Sequence, residues 1–271
     1  MNLASYRGKT FVIKYGGAAM INDELKQGFI EDIVMLHKAG IRVVIVHGGG
    51  SDVTAMAEKL GLKTTFIEGQ RYTGSDMIEV VQMVLAGKTN KDIVSDFSVH
   101  GMKAIGLCGI DCSLLRVRKY SHNGADLGLV GTITSVNTPF LNMLLDSGIL
   151  PVIAPVGTDE HGTVYNINAD NAAASIAQEL HADKLIYISD TDGVYARGRV
   201  VQSLDLNNAE QLIAETEIDG GMIPKVRSAF HAMENNVASV LLVNGKIKNP
   251  VVTQLSGKRV AGTEFVLSSL K

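Results

Sequence analysis

The fold is decided by Ile41-Arg42-Val43-Val44-Ile45-Val46-His47-Gly48-Gly49-Gly50-Ser51. Five of its first six residues are apolar, without the alternation of a half-solvated strand. Such a run suits a strand buried on both faces of a parallel sheet. The three glycines end it, and Ser51 is placed to open a helix that runs to Leu60 and closes at Gly61. The same phrase stands upstream. Thr10-Phe11-Val12-Ile13 reads as a strand stopped by Gly16-Gly17, and Asn22 caps a helix with Asp23 and Glu24 at its positive end. Leu25, Phe29, Ile33 and Leu36 repeat at helical spacing until Gly40.

Downstream the spacing predicts a long helix over 75–100, strands near 104–107, 114–118 and 130–136, and a helix over 139–147. A strand over 150–154 leads to the polar turn Asp159-Glu160-His161-Gly162. Then follow a helix over 169–180, a strand over 184–188, helices around 208–215 and 224–235, and strands over 239–243 and 263–266. Alternation of this kind means α/β, a three-layer αβα sandwich with a central, mainly parallel open sheet. No linker, repeat or low-complexity segment interrupts it. The expectation is one domain over 1–271, with an N-terminal lobe of about 1–160 and a C-terminal lobe of about 161–271.

The chain has 271 residues, 25 Lys+Arg against 28 Asp+Glu, and a net charge of −3. With 46% hydrophobic and 20% charged residues it is ordinary globular material, which excludes a wholly disordered chain and argues against a basic nucleic-acid binder. No run reaches the ~18–20 apolar residues of a membrane span; the best, 149–156, is broken by Pro151 and Pro155. The apolar run Phe11-Val12-Ile13 after Arg7 and Lys9 is too short for a signal-peptide core. Cys108 and Cys112 are too few for a disulfide framework. The expected setting is a reducing cytoplasm, without membrane or nucleic acid.

Open α/β sheets bind ligands beyond the carboxyl ends of their strands, where Gly16-Gly17 and Gly48-Gly49-Gly50 fall. Glycine lets backbone N–H groups approach an anion, so two clusters favour an anion site over two plain turns. Gly8-Lys9-Thr10 and Gly87-Lys88-Thr89 imitate a P-loop tail, but Leu3 and Gln82 stand where its first glycine must be. There is no G-x-G-x-x-G after a strand, no G-x-S-x-G and no H-E-x-x-H.

Lys14 ends an apolar strand just before the first glycine pair, either at a solvated edge or as a cation aimed into the sheet-end crevice. Lys225 follows Pro224, a residue suited to a helix's first turn. Two lysines on one phosphate would serve phosphoryl transfer. Asn166 and Asn168 alternate along an extended segment and can share a face. Asp170 opens the next helix, as a cap or as the group that holds cations in register.

Lys14-Tyr15-Gly16-Gly17, His47-Gly48-Gly49-Gly50, Gly69-Gln70-Arg71-Tyr72-Thr73, Tyr165-Asn166-Ile167-Asn168-Ala169-Asp170 and Gly220-Gly221-Met222-Ile223-Pro224-Lys225 together resemble the amino acid kinase family. The likeness runs in order from about Phe11 to Val266, and within the family it points to the branch that phosphorylates N-acetyl-L-glutamate in arginine biosynthesis. The resemblance implies ATP as donor, Mg²⁺ arriving with it, and transfer to a side-chain carboxylate. It makes Lys14 and Lys225 the charge-stabilising pair and Asp170 their organiser. Gly16 and Gly17 would line the phosphoryl side with Gly49 and Gly50, while Arg71, Asn166 and Asn168 hold the acceptor. Ser189, Asp190, Thr191, Asp192, Gly193, Val194, Glu217, Ile218 and Asp219 would border the nucleotide. Ala18, where related kinases commonly carry asparagine, is a departure. A sister kinase for acetylated or carrier-linked aminoadipate is the nearest alternative. A non-catalytic amino acid sensor is another, though it predicts loss of Lys14, Asp170 or Lys225, and all three are present.

Arginine-inhibited members of that family carry an extra N-terminal helix that joins dimers into a hexameric ring. Here 1–9 offers barely two turns, so the expectation is an arginine-insensitive homodimer. Met77, Val80, Val81, Val84 and Leu85 are the apolar surface expected to support it.

Overall fold

The computed structural model describes residues 3–67, 69–121, 126–220, 222–257 and 262–267; Gly221 of the glycine run before Lys225 lies outside them. The chain forms two compact units, Met1–Val43 with Ile176–Lys271, and Val44–Ser175. The linear division into 1–160 and 161–271 does not express this interleaving, in which the opening strand and helix pack with the C-terminal part. The expected α/β class is observed, with mainly parallel strands flanked by helices.

In the first unit the strands lie in the order Ser203–Leu204, Gly262–Phe265, Val240–Asn244, Lys184–Ser189, Thr10–Tyr15. The last three run parallel, with Val12 beside Leu185 and Leu185 beside Val240. Gly262–Phe265 is antiparallel to Val240–Asn244, so the sheet is mixed at this side. Phe11, Val12 and Ile13 are fully buried, as their unbroken apolar run requires. The helix Asp23–Lys38 starts where expected, with Asn22 accepting from the Leu25 N–H at 3.1 Å. It buries Phe29, Ile30, Ile33 and Leu36, and burial of such side chains is worth roughly 1.5–3 kcal/mol each. Tyr15 stacks on Phe29 with ring centroids 4.0 Å apart.

Asp32, on the same helix, is fully buried, and its Oδ2 accepts from the N–H groups of Val251 (2.7 Å) and Val252 (3.2 Å). These open the helix Pro250–Leu255, which the sequence reading missed for its short length. Burial pushes the Asp32 carboxyl up to about 7, against the opposing pull of its backbone and Asn249 hydrogen bonds.

The second unit takes the strand Arg42–His47 from Val44 onward and, parallel to it, Leu150–Ala154 and Ala104–Cys108, with Ile45 beside Val152 and Leu107 beside Ile153. It also has a second sheet that the sequence reading did not separate: Val164–Asn166, Val156–Thr158, Leu115–Lys119 and Gly131–Val136, mostly antiparallel. Pro155 stands between Ala154 and Val156. There the chain leaves one sheet and enters the other.

The predicted helix over 75–100 is continuous but not uniform. It is α over Ser75–Val81, π over Gln82–Thr89 and α again over Asn90–Val99. Met77, Val80, Val81, Val84 and Leu85 are buried against Val53, Ala57, Cys108, Ala154 and Val156. They therefore offer no free surface to a second copy and do not form the apolar dimer face expected of them. No helix among the described residues is long and apolar enough to cross a membrane.

Candidate active site

At the carboxyl ends of the first unit's parallel strands, Lys14 is level with Tyr187, and Ser189 with Asn244. Beyond Tyr15 the chain turns through Gly16 and Gly17 into the short helix Ala18–Ile21. A Cβ at Gly16 would stand 3.0 Å from Lys14 Nζ, so the lysine runs back over a residue that has no side chain. Gly17 has a left-handed φ of 67°, and a Cβ there would meet Asp190 Oδ1 at 2.5 Å. That carboxylate instead accepts the Ala18 N–H at 2.8 Å, across 172 residues of sequence.

Lys225, in the first turn of the helix Met222–Glu234, donates to Ser189 Oγ at 3.4 Å. The Ser189 hydroxyl also lies 3.2 Å from that of Thr191. Lys14, Gly16, Gly17, Ser189, Asp190, Thr191 and Lys225 thus gather at one end of this unit.

The remaining nucleotide-side residues have visible structural duties. Asp192 accepts from the Tyr195 hydroxyl at 2.6 Å and from the Asn244 side-chain amide. Val194 is fully buried and its N–H donates to Thr263 Oγ1 at 2.8 Å, with Gly193 close to the same hydroxyl. Glu217 accepts the Arg197 N–H at 2.6 Å, Ile218 is buried, and the Asp219 carbonyl accepts the Met222 N–H at 3.1 Å.

The second unit holds a cavity of about 330 Å³, lined among others by Gly49, Gly50, Arg71, Asn166 and Asn168. Arg71 sits on the hairpin of Phe66–Ile67 and Gln70–Arg71, directly across from Phe66. Its Nη2 donates to the Gly50 carbonyl (2.8 Å) and Thr54 Oγ1 (2.7 Å), its Nη1 to Thr64 Oγ1 (3.3 Å). The guanidinium also lies 4.9 Å from the Phe66 ring centre. Burial lowers its pKa from the ordinary value, but arginine stays charged in proteins.

The Asn166 amide donates to Thr73 Oγ1 at 3.2 Å, and that hydroxyl donates to the Arg71 carbonyl at 3.0 Å. Asn168 Oδ1 accepts the N–H groups of Asp170 (2.9 Å) and Asn171 (3.2 Å). The cap of the helix Ala169–Glu179 is therefore Asn168, and Asp170 stands in its first turn. Thr54, Thr64 and Phe66 escaped the sequence reading, and Thr73 stood in the Arg71 motif without a role of its own. Thr54, one turn beyond Gly50 on the helix Gly50–Lys59, carried the one usable signal.

A family model described as the amino acid kinase family matches residues 9–244. The chain belongs to the amino acid kinase family. Among curated kinases of this family, acetylglutamate kinase of Chlorobium chlorochromatii is 46% identical over 264 residues, covering 97% of this chain and 92% of the relative. That of Brachyspira hyodysenteriae is 43% identical over 267 residues, with the same two coverages.

Among solved structures, N-acetylglutamate synthase from Neisseria gonorrhoeae, complexed with coenzyme A and N-acetyl-glutamate, matches with a TM-score of 0.87 at 24% identity. It is matched over 99% of this chain, which spans only 62% of the synthase's length. Carbamate kinase from Giardia lamblia bound to AMP-PNP matches with a TM-score of 0.70 at 18% identity, over 96% of this chain and 99% of that one. At these identities the two structures speak for the fold alone. In this amino acid kinase, the lysine cluster and the Arg71 cavity are the candidate sites that the geometry offers.

Proposed function

We propose that this kinase transfers the γ-phosphoryl group of ATP to the side-chain carboxylate of N-acetyl-L-glutamate, giving N-acetyl-L-glutamyl 5-phosphate in arginine biosynthesis. The observation that carries the reading is the cavity whose polar wall is Arg71, in a chain 46% identical to a curated acetylglutamate kinase over 97% of its length. A glutamate side chain has an ordinary pKa of about 4.3, so the nucleophile is already ionised near neutrality and needs no general base. What the reaction needs is relief of repulsion between carboxylate and phosphate, and alignment of the two.

Lys14 and Lys225 supply the positive charge, and Asp170 is assigned the organisation of their ammonium groups. Gly16, Gly17, Gly49 and Gly50 supply close backbone approach. Arg71 binds a carboxylate of the acceptor through its planar fork, with Asn166 and Asn168 beside it. The segments 189–194 and 217–219 border the nucleotide. Among the described residues no group of three His, Cys, Asp or Glu side chains forms a metal site, and Mg²⁺ enters this reading as part of the ATP complex. The acceptor function is assigned to the N-terminal lobe, the ATP function to the C-terminal lobe, and the assembly to a homodimer resting on the family resemblance.

The test is ATP-dependent formation of a hydroxamate, since an acyl phosphate is trapped by hydroxylamine. Acetylglutamate should give the highest kcat/KM among glutamate, acetylglutamate, acetylaspartate and acetylaminoadipate. A preference for the longer acceptor, or none at all, would overturn the reading. Light scattering should give the mass of two chains.

A further inference from the structure

His47 ends the strand that opens into Gly48, Gly49 and Gly50, and it is fully buried. Its Nδ1 lies 2.7 Å from the Gly48 carbonyl oxygen. A carbonyl can only accept, so Nδ1 carries the proton. Nε2 lies 3.1 Å from the Asn90 side-chain nitrogen. The orientation of that amide is over-determined. Its NH₂ also faces the carbonyls of Val152 (2.9 Å) and Leu107 (3.4 Å), while its oxygen takes the Lys91 ammonium at 3.1 Å. Turned over, it would set its oxygen against two carbonyls and its NH₂ against a cation. Asn90 is therefore the donor and Nε2 the acceptor, which leaves His47 neutral in a single tautomer. Protonation would set two donors against each other. Asp52 and Lys91 are the charged groups that act on the ring, with opposite effects, and burial outweighs both in lowering the pKa to about 4.

The Gly48 carbonyl belongs to the Gly48–Gly49 peptide unit. In a planar trans peptide the C=O and N–H point in opposite directions. Tying that oxygen back to the buried ring therefore turns the Gly49 N–H away from it. Gly49 has a φ of 137°, and a Cβ there would meet Leu85 Cδ2 at 2.7 Å. Leu85 lies in the π-helical stretch Gln82–Thr89, and both Leu85 and Gly49 line the cavity. Thr89, its last residue, donates to Asp52 Oδ2 at 3.0 Å. Asn90 follows at once. Single π turns inside α-helices recur at functional sites, since the extra residue re-aims everything after it.

We propose that His47 and Asn90 are positioning residues of the acceptor site: together they hold the Gly48–Gly49 peptide so that the Gly49 N–H is offered to an anionic oxygen at the reacting end of the cavity, and the π-helical stretch is what brings Asn90 beneath the ring. The inference rests on the cavity being the acceptor site. Neither residue touches the substrate; both act through the glycine peptide.

The amide nitrogen of asparagine can take the place of Nδ1, and that of glutamine the place of Nε2. His47→Asn should keep the donor to Gly48 and retain kcat within about tenfold of wild type. His47→Gln loses that donor and should lower kcat by roughly 10²-fold, the size of losing one oxyanion donor, with KM for ATP unchanged. Equal losses in the two variants, or a loss shared by the ATP constant, would overturn the proposal.

Should both variants fail to fold, ¹⁵N NMR of the wild-type imidazoles still decides. His47 should show the Nδ1–H tautomer from pH 5.5 to 8 without titrating, and an Nε2–H tautomer or a midpoint near 6.5 would refute it. A wild type without acetylglutamate-dependent hydroxamate would instead sink the acceptor assignment, and the tautomer would still be read independently.

Discussion

The lysine end of the first unit and the cavity of the second handle polarity in opposite ways. At the cavity Arg71 Nη2 sits on Thr54 and Gly50 at 2.7–2.8 Å and Nη1 on Thr64 at 3.3 Å, and behind its glycine wall the buried His47 sits on Gly48 at 2.7 Å. At the lysine end the Lys225 ammonium holds a hydroxyl at 3.4 Å, and the glycine loop is tied by an exposed carboxylate. A shape-selective pocket gains from groups already locked in place, because ordering them on binding would subtract from affinity. A cation meant for a transferring phosphoryl group gains from a weak protein partner, since its charge then remains available where the transition state needs it.

Removing charge at the lysine end should have the largest effect. Lys225→Ala is expected to lower kcat by ~10²–10³-fold with modest change in either KM, and Lys14→Ala to behave alike. Steady-state kinetics checks this, and near-normal turnover would take Lys225 out of the mechanism. Next comes the cavity. Arg71→Lys keeps the charge but loses the fork, and a hydrogen bond to a charged group is worth about 1.5–3 kcal/mol. The acceptor KM should therefore rise roughly tenfold or more while that of ATP stays put. A rise in the ATP constant instead would move Arg71 to the other region.

The two units also differ in how pH loads them. His47 is held at about 4 against an ordinary 6.5, so its contribution is complete above 6.5 and is lost as pH falls towards 4. Asp32 is held at about 7 against 3.8, so its contribution is complete below 3.8 and is lost as pH rises towards 7. Between 4 and 6.5 the slopes oppose. Asp32→Asn should uncover the His47 slope, about 1.4 kcal/mol per pH unit at most, with stability rising as pH rises. Denaturant melts at pH 5, 6 and 7 on both proteins measure it; a flat Asp32→Asn profile would contradict the buried neutral histidine.

The smallest effect compares two helix caps. Asn22 makes one cap bond, whereas Asn137 accepts from Phe140 (3.2 Å) and also donates to the Cys112 carbonyl (2.8 Å). Alanine at Asn22 should cost about 0.5–1 kcal/mol and at Asn137 nearer 2, by thermal melts.

Strands buried on both faces were the most legible part. Leu150–Ala154 was read to the residue, and Lys184–Ser189 to within one, because an apolar run between turn residues allows few other structures. The glycine turns were legible too, since Gly17 and Gly49 follow strand ends and take a φ of 67° and 137° that favours glycine. The second sheet was not, because alternation identifies a strand but not its partner. Nor was the π stretch, since its residues keep the apolar spacing of an α-helix. Thr64 was invisible for a plainer reason: a hydroxyl that steadies a guanidinium is defined by three-dimensional proximity, and threonine is common on any surface.

The interleaving of the first unit also bears on how the protein is made. Its opening strand pairs with Lys184–Ser189, and Thr10 N–H reaches Asp183 Oδ2 across 173 residues. At about 5–20 residues per second, a ribosome takes on the order of 10–30 s to supply that partner. Through that interval a nascent chain carries Phe11, Val12 and Ile13 without the Lys184–Ser189 strand that pairs with them, while 44–175 emerges as one uninterrupted stretch. The strand that leads to Lys14 thus waits while the whole of the second unit is made, Asp32 waits longer still for Val251, 219 residues on, and a chaperone that shelters the first forty residues would cover both.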